Sequence, residues 1–397
     1  MRQGAGETFA VFRIFLRLGL TCFGGPIAHL GYFREEFVQR RRWLDEKTYA
    51  DLLALCQFLP GPASSQMGFA LGISRSGLAG GLAAWLGFTL PSALALFLFA
   101  LFSGSFSGPV AEGIIHGLKI VAVAVVAQAV WGMARSLAPD KPRAGIALAA
   151  MILVTLAAGA PGQLGAIALG AIGGALLCRS VVSGSDVRLP IPLGRAAGLI
   201  ALAAFLLLLL GLPLTASLIP GWGLGLFDAF YRSGALVFGG GHVVLPLLQA
   251  QLVAPGWVSS ADFLAGYGAA QAVPGPMFAI GAYLGAVAAP AHQAFLGALL
   301  GLIGIFLPGM LILVATLPFW DHLRRWPAAQ AMMAGVNAAV VGLLGAALYG
   351  LVWVSAVRGP HDFLLAAVCF LLLMVCRLPA WFVVVIGALC GLLLALV

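Results

Sequence analysis

The sequence predicts an all-α polytopic membrane protein built from two inverted repeats, and three observations carry that prediction. The chain of 397 residues is 62% hydrophobic and only 9% charged, whereas soluble domains are near half apolar and a quarter charged. One order of motifs occurs twice, about 215 residues apart. In both copies, glycine pairs and Pro-Gly-Pro interrupt the apolar segments, as is typical of transporter helices broken inside the membrane.

The duplicated motifs keep their order and nearly their spacing. The first half contains Arg17, Phe23-Gly24-Gly25-Pro26, Trp43, Gln57 and Pro60-Gly61-Pro62. The second half contains Arg232, Phe238-Gly239-Gly240-Gly241, Trp257, Gln271 and Pro274-Gly275-Pro276. Further along, Leu90-Pro91 matches Leu307-Pro308, and Gly117-Leu118-Lys119 matches Gly335-Val336-Asn337. We therefore expect a first repeat over residues 1–180, a linker with one extra transmembrane helix over 181–223, and a second repeat over 224–397.

The positions of lysine and arginine decide between two topologies. Thirteen hydrophobic segments can be drawn, four of them broken by the motifs above. If all thirteen cross the membrane, the basic loop between Arg34 and Lys47 lies opposite the other basic loops, against the positive-inside tendency. If the four broken segments are re-entrant hairpins, nine helices span, the N-terminus is cytoplasmic, and only Arg358 lies outside. We favour the hairpins, although both topologies invert the second repeat.

Each Pro-Gly-Pro motif predicts a helix that starts inside the membrane. A proline ends the preceding helix and a second one suits the first turn of the next, so free N–H groups and the positive end of the helix dipole would face an anion. Ser64 and Ser65 add hydroxyl donors after the first motif, and Gln57 and Gln271 each stand three residues before a motif. One such motif would indicate a kink. Two in register favour a binding site near the midplane, where the breaks face each other.

The glycine pairs have two interpretations that the residues leave open. Gly24 and Gly25 in the first repeat, and Gly239 and Gly240 in the second, allow sharp backbone turns and a close approach to a ligand. Small residues serve the close packing of helices equally well.

Three basic residues are candidates to bind an anion at membrane depth. Arg17 and Arg232 each precede a glycine pair by about six residues, and in the hairpin topology they converge near the midplane. A guanidinium suits bidentate recognition of an oxyanion. The alternatives are a snorkelling anchor for Arg17 and an ion pair of Arg232 with Asp228. Lys119 follows Glu112 and His116 along one helix, and that stripe lines either the pathway or a seam between helices.

Composition and motifs argue against several other classes. The six cysteines are scattered through apolar segments, which indicates neither disulfides nor a metal site. The net charge of +8 is spread over short loops, so we expect no nucleic acid partner. HExxH and GxSxG patterns are absent, and we predict a non-enzyme without cofactor or metal. For His29 and His242 a structural role is favoured over proton transfer.

The motifs resemble the long, two-domain form of the chromate ion transporter family. The phrases that carry the resemblance are FGGP, WLDEKTYADLLALCQFLPGP, FGGGHVVLP and AAQAVPGP, and it covers essentially the whole chain. The resemblance implies export of chromate across the plasma (inner) membrane and chromate resistance, with sulfate as a competitor. The FGG and PGP residues of both halves match the family, but Gly241 stands where the first half has Pro26. A transporter or channel for sulfate or another small anion is the alternative function, and a membrane-embedded transferase is a remote one. A homodimer is also open.

Overall fold

The computed structural model describes residues 2–103, 108–157, 159–178, 193–219, 221–238, 241–323 and 326–396, and every regular element in these ranges is helical. The first half contains α1 (Arg2–Thr21), α2 (Gly25–Arg34, continued by a π-helical turn over Glu35–Arg40), α3 (Glu46–Phe58), α4 (Ala63–Ser103), α5 (Pro109–Leu137), α6 (Lys141–Leu156) and α7 (Ala160–Leu177). Helix α8 (Arg195–Leu218) links this half to the second.

The second half repeats this order in shorter pieces. It contains α9 (Trp222–Ala235), α10 (Val244–Leu248, between a 3-10 turn at Gly241–Val243 and a π-helical turn at Gln249–Val253), α11 (Ser260–Ala272), α12 (Ile280–Ala288, after a 3-10 turn at Met277–Ala279), α13 (Ala294–Thr316), α14 (Trp320–Leu323), α15 (Pro327–Ala347, continued by a π-helical turn over Leu348–Trp353), α16 (Val354–Ala356), α17 (Pro360–Met374) and α18 (Ala380–Leu396). The predicted break positions coincide with helix ends, because proline and positive-φ glycine cannot continue a helix.

The surface of the described residues is that of a membrane protein. Five of their helices are long and apolar enough to cross a bilayer, within Ala63–Phe102, Glu112–Leu137, Arg195–Leu218, Ala291–Phe319 and Pro327–Ala356. On the linking helix α8, Leu207 is 72% exposed and Leu218 78% exposed. Tyr231 donates a hydrogen bond to the carbonyl oxygen of Phe205, which holds α8 against α9. Exposed leucines of this density indicate a lipid-facing surface.

In the first half, side chains from α1, from the residues before α3 and from the kink of α4 contact one another. The hydroxyls of Thr8 in α1 and Ser76 at the kink of α4 lie 2.6 Å apart, although α2 and α3 lie between them in the sequence. Arg75 lies 3.7 Å from the carboxylate of Glu7, and its guanidinium lies over the Trp43 ring at 5.0 Å. Trp43 precedes α3, and Arg75 ends the helical stretch after the first Pro-Gly-Pro. The first turns of α1, the residue Trp43 before α3 and the kink of α4 are therefore neighbours.

In the second half, the start of α9 lies against Trp257 and against α13. A Cβ on Gly225, near the start of α9, would lie 3.4 Å from the ring of Trp257. A Cβ on Gly223 would lie 3.4 Å from the side chain of Leu300 in α13. Trp257 occupies the position that matches Trp43 in the first half.

The long helices of the two halves, the part of α4 after its kink at Ser76 and Gly77 and the whole of α13, run antiparallel. The rings of Trp85 and Phe306 lie 5.8 Å apart, and those of Phe97 and Phe295 also lie 5.8 Å apart. Moving forward along α4 therefore means moving backward along α13. Beyond the far end of α13, Trp320 donates a hydrogen bond to Asp51 of α3 at 3.1 Å.

The last helices of each half pack on the other half. Helix α5 packs against α17 and α18, whereas its counterpart α15 packs against α6 and α7. Glycines make these contacts close: Gly117 of α5 meets the backbone at Gly387, and Gly335 of α15 meets the backbone at Gly170 and Gly174. The two halves are therefore interlocked, and each completes the core of the other.

Candidate functional site

The first Pro-Gly-Pro break is a backbone turn that is held by the second half of the chain. Gly61 has φ = 122°, and its N–H donates to the carbonyl oxygen of Val237 at 2.7 Å. A Cβ at this position would lie 2.9 Å from Cα of Gly309 in α13. Only glycine combines that backbone conformation with so close an approach.

The second Pro-Gly-Pro break repeats this arrangement with the partners exchanged. Gly275 has φ = 99°, and its N–H donates to the carbonyl oxygen of Cys22 at 2.9 Å. A Cβ here would lie 2.9 Å from Oγ of Ser92 in α4. Cys22 precedes the first FGG motif as Val237 precedes the second. Each proline break therefore binds the backbone beside the glycine break of the opposite half, and the breaks are joined in two pairs.

After the first break, the new helix starts with polar groups that are buried. Gln66 is the first residue whose N–H bonds back within the turn, to Pro62 O at 2.9 Å, so the N–H groups of Ala63, Ser64 and Ser65 have no partner within the helix. Ser64 is 3% exposed and Ser65 is 4% exposed, and Oγ of Ser65 has no hydrogen-bond partner among the residues that the structure describes. A buried hydroxyl beside three helix-terminal N–H groups is suited to hold an anion.

Gln66 is a residue of this site that the sequence prediction did not single out. Its Nε2 donates to Pro60 O at 2.8 Å and to Gly309 O at 2.9 Å, so one side chain joins the break to α13 of the other half. The signal in the sequence was a glutamine one turn into an apolar helix. A long-range backbone partner at Gly309 cannot be seen from sequence spacing alone.

The second break differs from the first in chemistry. Its new helix starts with Met277, Phe278 and Ala279, which are buried and carry no hydroxyl. Gln271 is half-buried and its Nε2 lies 3.0 Å from Sδ of Met277, whereas the matching Gln57 is exposed. The polar side chains after the breaks therefore belong to the first half.

Of the predicted glycine pairs, the structure describes the first. Gly24 and Gly25 have φ values of 103° and 77°, and α2 begins at Gly25. This is the sharp turn for which glycine is required. Gly239 and Gly240 lie outside the described residues.

The two predicted arginines lie in different environments. Arg17 is on the exposed face of α1, and its guanidinium makes no ion pair or hydrogen bond within the described part of the chain. Arg232 is half-buried and donates from Nη2 to Asp228 at 2.5 Å. Asp228 is 4% exposed, and its other oxygen has no hydrogen-bond partner in the described part of the chain. The first half has Arg13 at the position that matches Asp228, so Arg17 has no equivalent acid. The pairing that the sequence left open as an alternative for Arg232 is present.

Lys119 is 9% exposed and lies on α5 beside α11, where a Cβ on the neighbouring Gly268 would lie 2.8 Å from Leu118 O. Within the described ranges it has no ion pair or hydrogen bond. The other two residues of the stripe, Glu112 and His116, lie in different surroundings from Lys119. Glu112 is exposed. The ring of His116 bonds to Asp362 at 2.8 Å, an acid that the sequence prediction missed.

The two histidines near the glycine breaks are buried or half-buried. His29 is 1% exposed, and its ring packs edge-on against Phe88 with 5.2 Å between centroids. Neither of its ring nitrogens has a hydrogen-bond partner among the described residues. His242 bonds through Nδ1 to the hydroxyl of Tyr267 at 2.8 Å. No group of three or more metal-binding side chains occurs among the residues that the structure describes.

An α-helical, two-fold repeated protein with an apolar surface and polar groups at backbone breaks inside its core is a polytopic membrane protein of the transporter type. The model of the chromate transporter family matches residues 9–178 and 224–392, so the chain belongs to that family. No solved structure matches it.

Curated relatives agree with this membership. The chain is 29% identical over 357 residues to the chromate transport protein of Pseudomonas aeruginosa, covering 88% of this chain and 82% of that protein. It is 27% identical over 381 residues to the chromate transport protein of Cupriavidus metallidurans, covering 95% and 91%. A probable chromate transport protein of Synechococcus elongatus is 28% identical over 374 residues, covering 88% and 84%.

Proposed function

We propose that this protein exports chromate from the cytoplasm across the inner membrane and thereby confers chromate resistance. The observation that carries the proposal is the crossed pair of backbone bonds, Gly61 to Val237 and Gly275 to Cys22, in a member of the chromate transporter family. Each bond joins a proline break of one half to the glycine break of the other half, and broken helices at a repeat interface are where transporters of this kind bind substrate.

The repeats are inverted in this proposal, and the four broken segments are re-entrant hairpins. The contact of Arg75 with Trp43 supports the hairpins in the first half, since both ends of the second hairpin then lie on one face. The antiparallel course of α4 and α13 supports inversion. The face from which the hairpins of the first half enter is cytoplasmic, and so is the N-terminus, because this face carries the basic stretch from Arg34 to Lys47.

The substrate site lies at the start of the helical stretch that follows the first break. Ser64, Ser65 and the free N–H groups of that helix bind the oxyanion, and Gln66 fixes the turn that presents them. Arg17, on the exposed face of α1, adds positive electrostatic potential at this site. The buried Lys119 on α5 does the same. The backbones of Gly24 and Gly25, which turn sharply at the first glycine break, form another side of this substrate site. The half-buried Arg232 is neutralised by Asp228 and makes a smaller contribution.

The membrane potential supports export as the direction. A dianion that leaves an inside-negative cell gains about 4.6 kcal/mol per 100 mV, twice the value for a single charge. Export therefore needs no cation site, and an exchanged proton would add to the driving force.

Two experiments test the proposal. The first measures chromate and sulfate efflux from proteoliposomes under an inside-negative potential, and we expect saturable chromate efflux that sulfate inhibits. Preferred transport of sulfate, or no flux of either anion, would contradict it.

The second experiment introduces cysteines at the exposed, matching positions Lys47 and Ala261 and labels intact cells with an impermeant maleimide. Labelling of Ala261→Cys alone is expected, and equal labelling of both excludes inversion.

A further inference from the structure

Helix α5 contacts two neighbouring helices on either side of Lys119. Its backbone at Leu118 meets Gly268 of α11. Its His116 side chain bonds to Asp362 of α17. With 3.6 residues per turn, Lys119 lies between these two contacts, on the side of α5 away from α18. Helices α11 and α17 each pack against α5 and α18 and less against each other, where they are described. Lys119 therefore points between α11 and α17.

The ammonium group of Lys119 has no counter-ion in the described ranges. Lys119 is 9% exposed and makes no ion pair or hydrogen bond there. Asp362, the acid on the neighbouring helix, already has a partner on each oxygen. Its Oδ1 bonds to Nε2 of His116 at 2.8 Å, and its Oδ2 accepts the N–H of Arg358 at 2.9 Å. A buried ammonium without a partner is destabilising, and an anion that reaches it removes that penalty.

The second ring nitrogen of His116 is free in the same way. Its Nδ1 is buried and has no hydrogen-bond partner among the described residues. Because the Asp362 carboxylate accepts from Nε2–H, Nδ1 carries no proton in the neutral ring and becomes a donor when the ring is protonated. Lys119 follows His116 by three residues, so the two side chains are neighbours on the surface of α5.

Asp362 is the titratable group that bonds to His116 within the described structure. Glu112 lies one turn earlier on α5 and is exposed. The other titratable or charged groups of the elements packed on α5, or next to them, are Arg358, His361, Asp262, Tyr267, Tyr349 and one cysteine in each of α17 and α18. The charge of a protonated His116 is therefore balanced by Asp362.

We propose that Lys119 and His116 form a second oxyanion site, which chromate occupies after it leaves the start of α4 and before its release on the outer side. The ammonium and the protonated Nδ1 donate to the oxyanion, and Asp362 is a positioning residue that holds the ring. This inference rests on the proposed transport function, because it describes a further step of the same substrate.

The position of α11 places this second site on the outer side of the central breaks. Gly268, beside Leu118, comes seven residues before Gly275 of the second proline break. In the proposed topology α11 enters from outside, so this contact lies between the break and the outer face. A substrate that moves between successive sites of moderate affinity is released more easily than one held at a single tight site.

Equilibrium binding of radiolabelled chromate to the purified full-length protein tests the second site. The parent is expected to bind two chromates per chain and Lys119→Met one, because methionine keeps most of the volume and lacks the charge. Lys119→Met should melt no lower than the parent, since it removes an unpaired buried ammonium.

Arg135→Met is the matched control for charge. It removes one positive charge from the same helix, where the guanidinium lies 4.9 Å from the centre of the Trp131 ring, and should keep both sites. One chromate per parent chain, or two in Lys119→Met, overturns the proposal.

The pH dependence separates an anion site from a seam between helices. From about pH 8 to about pH 6, His116 takes up a proton, and the affinity of the second site should rise about tenfold, the effect of one charge-assisted hydrogen bond. His116→Gln keeps a donor for Asp362 but cannot be protonated, so it should lose this rise. Chromate itself takes up a proton in this range, and the effect is therefore read as the difference between parent and variant.

His361→Gln, at an exposed histidine of α17, is the control for this series and should keep the rise. Equal pH dependence in the parent and His116→Gln overturns the site as proposed.

Efflux from proteoliposomes distinguishes the second site from the proposed function. Chromate efflux by a protein that binds a single chromate excludes the second site and leaves the transport function intact. Two bound chromates, one of them lost in Lys119→Met, in a protein without any anion flux contradict the transport function and leave the second site intact.

Discussion

The N–H of Gly61 donates a hydrogen bond to the carbonyl oxygen of Val237 at 2.7 Å, across 176 positions of sequence. Its counterpart runs in the opposite direction, from Gly275 to Cys22. Since each donor lies at a proline break and each acceptor precedes a glycine break, a change at one break is passed directly to the other half. Both repeats therefore contribute backbone to the contacts at the helix breaks.

Replacing Gly61 or Gly275 is expected to disturb the contact between the two halves. Gly61→Ala and Gly275→Ala each force an alanine into a left-handed backbone and place its Cβ 2.9 Å from a neighbouring atom. The backbone strain alone is about 1–2 kcal/mol, and the clash adds to it. Melting in detergent and chromate efflux should both fall. Gly256→Ala is the matched control, because Gly256 has φ = 83° with no atom within 4 Å of an added Cβ. An equal loss in all three variants would mean that strain, and not the contact between halves, matters.

The sequence predicted the helical class, the repeat and the positions of the breaks, because proline, glycine and apolar periodicity act locally. It could not predict that α5 packs on α18 while α15 packs on α7. Motif order is the same whether a repeat packs on itself or exchanges its last helices.

The same limit applies to the candidate site. The breaks and the two serines were predicted from their motifs, and the Asp228–Arg232 pair was an alternative that i,i+4 spacing suggests. Gln66 and Asp362 were missed, because their partners Gly309 and His116 are more than two hundred residues away. Long-range partners are set by how the helices pack, which spacing within one helix does not encode.

Loss of the guanidinium at Arg17 should weaken oxyanion binding. A charge-assisted hydrogen bond contributes about 1.5–3 kcal/mol, so Arg17→Gln is expected to raise the apparent KM for chromate roughly tenfold to a hundredfold. Arg17→Lys should recover only part of this, because the charge remains but the planar fork is lost. Arg13→Gln, one turn earlier on the same exposed face, is the control. If Arg17→Gln has the parental KM, Arg17 is a membrane anchor.

Asp228 and Arg232 are expected to behave as a structural pair. Arg232→Gln leaves the buried carboxylate of Asp228 unpaired, and breaking a buried pair costs about 3–5 kcal/mol. The double variant Asp228→Asn with Arg232→Gln removes both charges and should recover most of the melting temperature. Efflux by the recovered protein separates folding from transport. A double variant that folds but fails to transport would assign Arg232 to the anion pathway.

The start of α3 should loosen in acid. Thr48 N–H donates to Asp45 at 2.7 Å, and this bond lowers the pKa of the Asp45 carboxyl below its usual range. The hydrogen bonds from Arg34 lower the pKa of Glu46 in the same way. A carboxyl with a lowered folded-state pKa stabilises the fold at neutral pH, and that contribution is lost as the pH falls through the folded-state value, below about 4.

Melting curves of the parent and Glu46→Gln test this. The parent should melt slightly higher at pH 7, and the difference should vanish near pH 3. Glu35→Gln is the control, since Glu35 is exposed and forms no ion pair among the described residues. A difference between parent and Glu46→Gln that persists in acid would show that the Glu46 charge is not its origin.

Ser65 provides the sharpest test of where the anion binds. Its Oγ is buried and makes no hydrogen bond within the described ranges, so Ser65→Ala removes no bond seen there and should leave melting unchanged or slightly higher. If the hydroxyl donates to the bound oxyanion, the same variant should raise the apparent KM for chromate about tenfold or more. Ser92→Ala is the control, because that buried hydroxyl already donates to Thr89 O at 3.0 Å. It should lower melting and leave the KM near the parental value. A parental KM in Ser65→Ala would move the site away from the start of this helix and toward Lys119.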